Sequence, residues 1–114
     1  MAMPAIDLYL GLSSEQADAW QRDGVLRAHW FGGTIPLKRT LVAAREAYQT
    51  GPGYWSEQLP PFIAKVTIAS EWFLGLVNDG MLQVCLWVDG YRLSKDISVR
   101  EAASFCHCEV FAVA

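Results

Sequence analysis

At 114 residues, with 53% hydrophobic and 18% charged, the chain can build one real core and is too apolar to be disordered. The net charge is -3 and no Lys/Arg run occurs; the closest basic cluster is Lys38-Arg39, with Arg45 beyond it, which excludes a phosphate-tracking surface for duplex nucleic acid. No stretch reaches the ~18 apolar residues of a membrane span, residues 1–4 do not start a signal-peptide pattern, and three cysteines make no disulfide framework, so reduced thiols and a cytoplasmic setting are expected.

In chain order, residues 6–10 are short and apolar and read as a first strand. Ser13 is a helix N-cap with Gln16 three residues on, a capping box, and the helix runs to Asp23 and stops at Gly24. Asp18 and Arg22 form an i,i+4 pair on its wet side, and Trp20 is its large apolar anchor. Residues 25–31 alternate, with Leu26, Ala28 and Trp30 opposed to Arg27 and His29, which predicts a half-buried strand ended by Gly32-Gly33. Thr34 reads as the next N-cap, Pro36 fits a first turn, and Leu37, Leu41, Ala44 and Tyr48 make a helical stripe. Residues 51–61 read as a loop with Tyr54 and Trp55 near its middle.

Phe62, Ala64, Val66 and Ile68 share one face of a strand over residues 62–69, and a short helix follows from Ser70 to Asn78. Residues 81–88 are nearly all apolar and read as a central strand, and Asp89-Gly90 as a two-residue hairpin turn into residues 91–93. Residues 98–104 fit a helical turn or an extended run equally. Residues 105–113 form the last strand. The expected architecture is a single α+β domain over residues 1–114, with a small mixed or antiparallel sheet and two or three short helices.

The last strand concentrates the chemistry. Phe105, His107, Glu109, Phe111 and Val113 share one face; Cys106, Cys108, Val110 and Ala112 share the other, which is small and apolar and should be buried. His107 and Glu109 stand ~6.5–7 Å apart along the strand. In a cleft such a pair positions a base or holds a ligand hydroxyl; on an exposed face it is ordinary polar alternation. Cys106-His107-Cys108 makes no metal site, because the imidazole points away from both thiols. Gly32-Gly33-Thr34 lacks the residues of a phosphate loop, and Ser13-Ser14 lacks a nucleophile elbow. Five Trp, five Phe and four Tyr exceed what so small an interior takes in, which predicts exposed aromatic surface for a partner, a ligand or self-association, with Tyr54 and Trp55 as its first candidates.

Several segments in order resemble ADP-ribosyltransferase-like domains. Tyr9-Leu10-Gly11-Leu12-Ser13 followed by a helix ending in Gly24 is similar to the family's opening, where a strand ends in Tyr-His-Gly or Tyr-Arg-Gly. Phe31-Gly32-Gly33-Thr34 ahead of Ala43, Ala44, Ala47 and Tyr48 resembles the next family segment. Residues 61–68 followed by Ser70-Glu71 resemble the strand and acidic turn after it, and Glu109 falls at a place like that of the family's catalytic Glu. The resemblance implies that fold, with NAD as cofactor, Glu109 as catalytic carboxylate, His107 beside it, and Tyr9, Gly11 and Thr34 at the cofactor. Leu10 stands where the family's His or Arg would bind NAD, and an aliphatic side chain donates no hydrogen bond. Two readings follow. In one, the chain is a non-catalytic binding module without cofactor, acting through another protein in the manner of immunity or anti-defence factors. In the other, it is a divergent ADP-ribosyltransferase.

Overall fold

Residues 4–98 and 106–113 are described by the computed structural model. At its centre two eight-residue strands, β1 (Ala5–Leu12) and β6 (Phe62–Ala69), run antiparallel in unbroken register from Ala5 opposite Ala69 to Leu12 opposite Phe62. Leu8, Leu10 and Leu12 of β1 and Ala64, Val66 and Ile68 of β6 are buried on one face; Asp7, Tyr9, Lys65 and Thr67 alternate to the other. The last strand, β10 (Cys106–Ala112), pairs with β6. Beyond β1 stand β3 (Ile35–Lys38), β8 (Gly90–Leu93) and β7 (Leu82–Cys85). The sheet order is β10-β6-β1-β3-β8-β7, with every neighbouring pair antiparallel.

Helices α1 (Ser14–Asp23) and α3 (Ser70–Asn78), with the short ladder β2 (Val25–Leu26) and β9 (Ile97–Ser98), supply the rest of the core. Leu26, Leu76 and Ile97 are buried in one cluster with the sheet leucines, and Trp20, Trp72 and Phe73 pack against it. The Ser13 capping box forms as the spacing requires: Ser13 N–H donates to Gln16 Oε1 at 2.9 Å, Gln16 N–H donates to Ser13 Oγ at 3.2 Å, and Gly24 closes the helix at φ 68°. Arg22 reaches Asp23 at 3.2 Å rather than Asp18. Among the described residues no helix is long and apolar enough to cross a membrane.

The structure corrects several local expectations. Residues 25–31 are a strand only over Val25–Leu26; Ala28–Phe31 is a 3₁₀ turn, entered where Ala28 N–H donates to the Asp96 carboxylate at 2.8 Å. The stripe from Leu37 to Tyr48 is divided between β3 and a short helix, α2 (Leu41–Glu46), whose N-cap is Thr40, accepting from Ala43 N–H at 3.1 Å. Thr34 caps nothing; its hydroxyl accepts from Arg92 Nη1 at 2.8 Å. The loop 51–61 begins as a hairpin of β4 (Tyr48–Gly51) and β5 (Tyr54–Ser56). Residues 81–88 are not central: β7 ends the sheet, and Leu86–Val88 leave it as a 3₁₀ turn.

The β7–β8 hairpin exists, but Cys85 pairs with Gly90, so its loop has four residues rather than two, with Asp89 at φ 53°. Gly90 is needed for closeness: a β-carbon there would collide with the Leu37 carbonyl oxygen and stand 2.8 Å from Lys38 Cα. Of the small face expected for the last strand, Cys106 and Cys108 are buried, Val110 is half-buried and Ala112 is exposed; Phe105 and residues 99–104 lie outside the described residues. Gly90→Val is expected to destabilise the fold by about 3 kcal/mol or more, because β3 and β8 cannot both keep their positions. A urea midpoint unchanged by the substitution would contradict this packing.

Candidate functional site

The face of the sheet opposite the leucine core carries the polar residues in cross-strand rows. Tyr9, Lys65 and Glu109 stand opposite one another on β1, β6 and β10, and Asp7, Thr67 and His107 form the next row. Thr67 Oγ1 donates to Asp7 Oδ1 at 2.7 Å, and the Lys65 ammonium lies 3.9 Å from Asp7 Oδ2. His107 and Glu109 are exposed and Tyr9 is half-buried. Tyr9, His107 and Glu109 therefore share one open face. Surface pairs of this sort add little to stability, so the rows are a polar surface more than a brace.

The other residues expected at a cofactor lie apart from them. Gly11 is buried, and a β-carbon on it would sit 2.6 Å from Tyr48 Cβ and 2.8 Å from Pro60 Cβ: its smallness serves packing of the β4 hairpin and the following loop. Thr34 precedes β3 and is engaged by Arg92. Leu10 is buried in the core, on the face away from Tyr9. A cleft of about 430 Å³ lies elsewhere, between the start of α1 and the β4 hairpin; it is lined by Ser13, Glu15, Gln16, His29, Trp30 and Thr50 among others and includes none of Tyr9, Gly11, Thr34, His107 or Glu109.

A different feature is assembled around Lys38. Lys38 is buried at the end of β3, and its ammonium donates to the Val88 carbonyl at 3.1 Å and lies 5.3 Å from the centre of the Trp55 ring. Burial lowers its pKa, opposed by the nearby charges of Asp89 and Glu46. A hydrogen bond from a charged donor in such a place contributes on the order of 1.5–3 kcal/mol. One ammonium thus holds together two projecting arms: the β4–β5 hairpin, bearing Tyr54 and Trp55, and the turn before Val88, bearing Leu86 and Trp87. Tyr54 is 71% exposed, Leu86 87% and Trp87 95%, while Trp55 is partly covered by its place over Lys38. Leu86 and Trp87 escape a reading of the sequence alone, since an apolar run normally signals burial. The available signal is their nearness to Asp89-Gly90, from which only Val88 separates them, where a turn leaves side chains without neighbours.

The thiols are chemically quiet. Burial pushes Cys106 up to about 11 and, reinforced by Cys106 and Glu109, Cys108 up to about 12. Among the described residues no group of three His, Cys, Asp or Glu side chains could hold a metal ion. A thiol reagent at neutral pH should label the half-buried Cys85 first and reach Cys106 and Cys108 only on unfolding. Because both buried thiols keep their protons above the ordinary value of 9.0, their contribution to stability is whole below that pH and is lost as pH rises toward about 11 to 12. Urea midpoints at about pH 8 and about pH 10.5 should show the fall, and Cys108→Ala should lessen it.

Comparison of the chain with protein-family models, with curated proteins and with solved structures finds no match.

Proposed function

We propose that this chain is a non-catalytic protein-binding module whose contact surface is formed by Tyr54, Trp55, Leu86 and Trp87. The observation that carries the reading is the near-complete exposure of Leu86 and Trp87 beside a second aromatic arm, both anchored by Lys38. An isolated exposed leucine means nothing, but Trp and Tyr grouped on a rigid base are the usual anchors of a protein interface. Tyr and Trp offer large contact area with few rotamers to freeze, so little ordering entropy opposes association. The partner is a protein presenting an apolar recess for the two arms. Small size and a net charge of -3 suit a blocking factor of the immunity or anti-defence kind.

The alternative, a divergent ADP-ribosyltransferase with Glu109 as catalytic carboxylate, is favoured by the single row that joins Tyr9, Lys65 and Glu109. Against it, Leu10 is turned into the core and Thr34 is held by Arg92, so two positions assigned to NAD by resemblance offer it nothing. An unpaired polar group on desolvation costs on the order of 1–3 kcal/mol, one to two decades of affinity.

Two experiments separate the readings. Affinity capture with the wild-type chain and with Tyr54→Ala/Trp87→Ala should retain a partner on the first and lose it about tenfold or more on the second, at unchanged melting temperature; equal retention by both overturns the assigned surface. Titration with NAD, followed by amide shifts, should show no binding in the micromolar range. Micromolar binding abolished by Glu109→Gln or Tyr9→Ala would put the transferase reading in place of the module.

A further inference from the structure

The edge of the sheet at β7 has unspent bonding capacity of its own, distinct from the aromatic arms. Ser94 N–H donates to the Met81 carbonyl at 2.8 Å. With Leu82 opposite Leu93 and Gln83 opposite Arg92, this makes Met81/Ser94, Gln83/Arg92 and Cys85/Gly90 the hydrogen-bonded pairs of the β7–β8 ladder. Antiparallel strands alternate, so the N–H and C=O groups of Leu82 and Val84 point away from β8, and among the described residues no strand lies there to receive them.

Strands that end a sheet are normally guarded by charge, proline or a bulge. Shortness is another such guard and the strand has only four residues, but Leu82-Gln83-Val84-Cys85 carries no charge, proline or bulge. Its side chains instead invite cover. Val84 is 63% exposed on the face where α3 packs, Met81 precedes it with its side chain 40% exposed, and α3 exposes Leu74 and Val77. The opposite end of the sheet differs: β10 turns His107 and Glu109 to solvent, a polar guard.

We propose that a second copy of this chain covers the edge, β7 pairing antiparallel with β7 about a two-fold axis through Gln83. In that register Leu82 of one copy faces Val84 of the other, and Val84 faces Leu82. Both outward-pointing residues then fall in hydrogen-bonded pairs, and all four backbone groups on each strand are satisfied. A register slip of one residue would set outward-pointing groups against inward-pointing ones, and moving the axis to Leu82 or Val84 would leave only one of the two outward residues paired within the strand, so the axis through Gln83 is the one that satisfies both. A two-fold axis normal to the sheet keeps α3 of both copies on the same side, adding Val84, Leu74 and Val77 of each to a shared apolar seam. The contact is isologous and closes at two copies, which removes the β7 edge from solution without opening a path to fibres. The sheet becomes twelve-stranded across the pair, twice the six strands of one chain.

Sedimentation equilibrium tests the proposal directly. The wild-type chain should approach twice the monomer mass of 12.7 kDa as its concentration rises to about 100 µM and dissociate on dilution. Val84→Lys places a charge in the seam and should give the monomer mass. Val84→Pro is the second variant: the N–H it removes points outward, so the β8 ladder is untouched while the edge is blocked. Both should keep the wild-type far-ultraviolet dichroism. A control, Trp87→Ala, should remain dimeric, which separates this edge from the partner-binding arms. A wild-type chain that stays monomeric over the whole range overturns the proposal. So does a dimer that survives both Val84 substitutions, or assembly that continues past two copies.

Discussion

Everything in this fold is referred to the register between β1 and β6. Eight consecutive pairs fix Leu8, Leu10 and Leu12 opposite Val66, Ala64 and Phe62, and these alternate pairs build one apolar surface. A slip of β1 by one residue would carry Asp7 and Tyr9 into the core and expel its leucines, at a cost far above what a single domain can bear. With that register held, β10 docks on one flank through Cys106 and Cys108, and α1 and α3 have a flat apolar floor to cover. The opposite face then receives Asp7, Tyr9, Lys65 and Thr67 at one end, while Gly11 and Ile63 at the other end are buried.

Segments whose signals are local were legible in the sequence. The Ser13 cap, the Gly24 stop, the alternation of β6 and the span of α3 each depend on residues within a few positions of one another. The stripe from Leu37 to Tyr48 was misread for a physical reason. Leu41 and Ala44 suit a helix, but Ile35 and Leu37 are needed to bridge β1 and β8, and no local pattern expresses that need. Pro36 strengthened the error, because proline is rare inside a sheet. Here it costs no ladder bond. Tyr91 and Leu93 turn their backbone groups toward Ile35 and Leu37, so the amide hydrogen that Pro36 lacks would have pointed to β1. The pairing of β1 with β3 is confined to Tyr9 and Lys38, and the strands have already diverged at Pro36.

The candidate site was harder still to read, and for a related reason. Tyr54 and Trp55 could be singled out because they sit in a segment rich in glycine and proline. Leu86 and Trp87 could not, because the run from Met81 to Val88 has the composition of a buried strand. Whether such a run is interior or peripheral is decided by strand order, and strand order is a property of the whole chain. The same limit applies to His107, Glu109 and Tyr9. Alternation put His107 and Glu109 on one face of the last strand, while Tyr9 entered only through the resemblance, and only the pairing through Lys65 shows which of them are neighbours and that Thr34 is not among them.

Lys38 gives the molecule a property that neither aromatic arm has alone. Two arms that share one ammonium are thermodynamically linked, and linkage is reciprocal. Whatever free energy the Trp55 ring lends to the Lys38–Val88 bond, that bond returns in holding Trp55. A ligand seated on the hairpin alone would therefore narrow the motion of the Leu86-Trp87 turn before touching it, and the second contact would form against a surface already ordered. Both arms thus meet at a single buried charge.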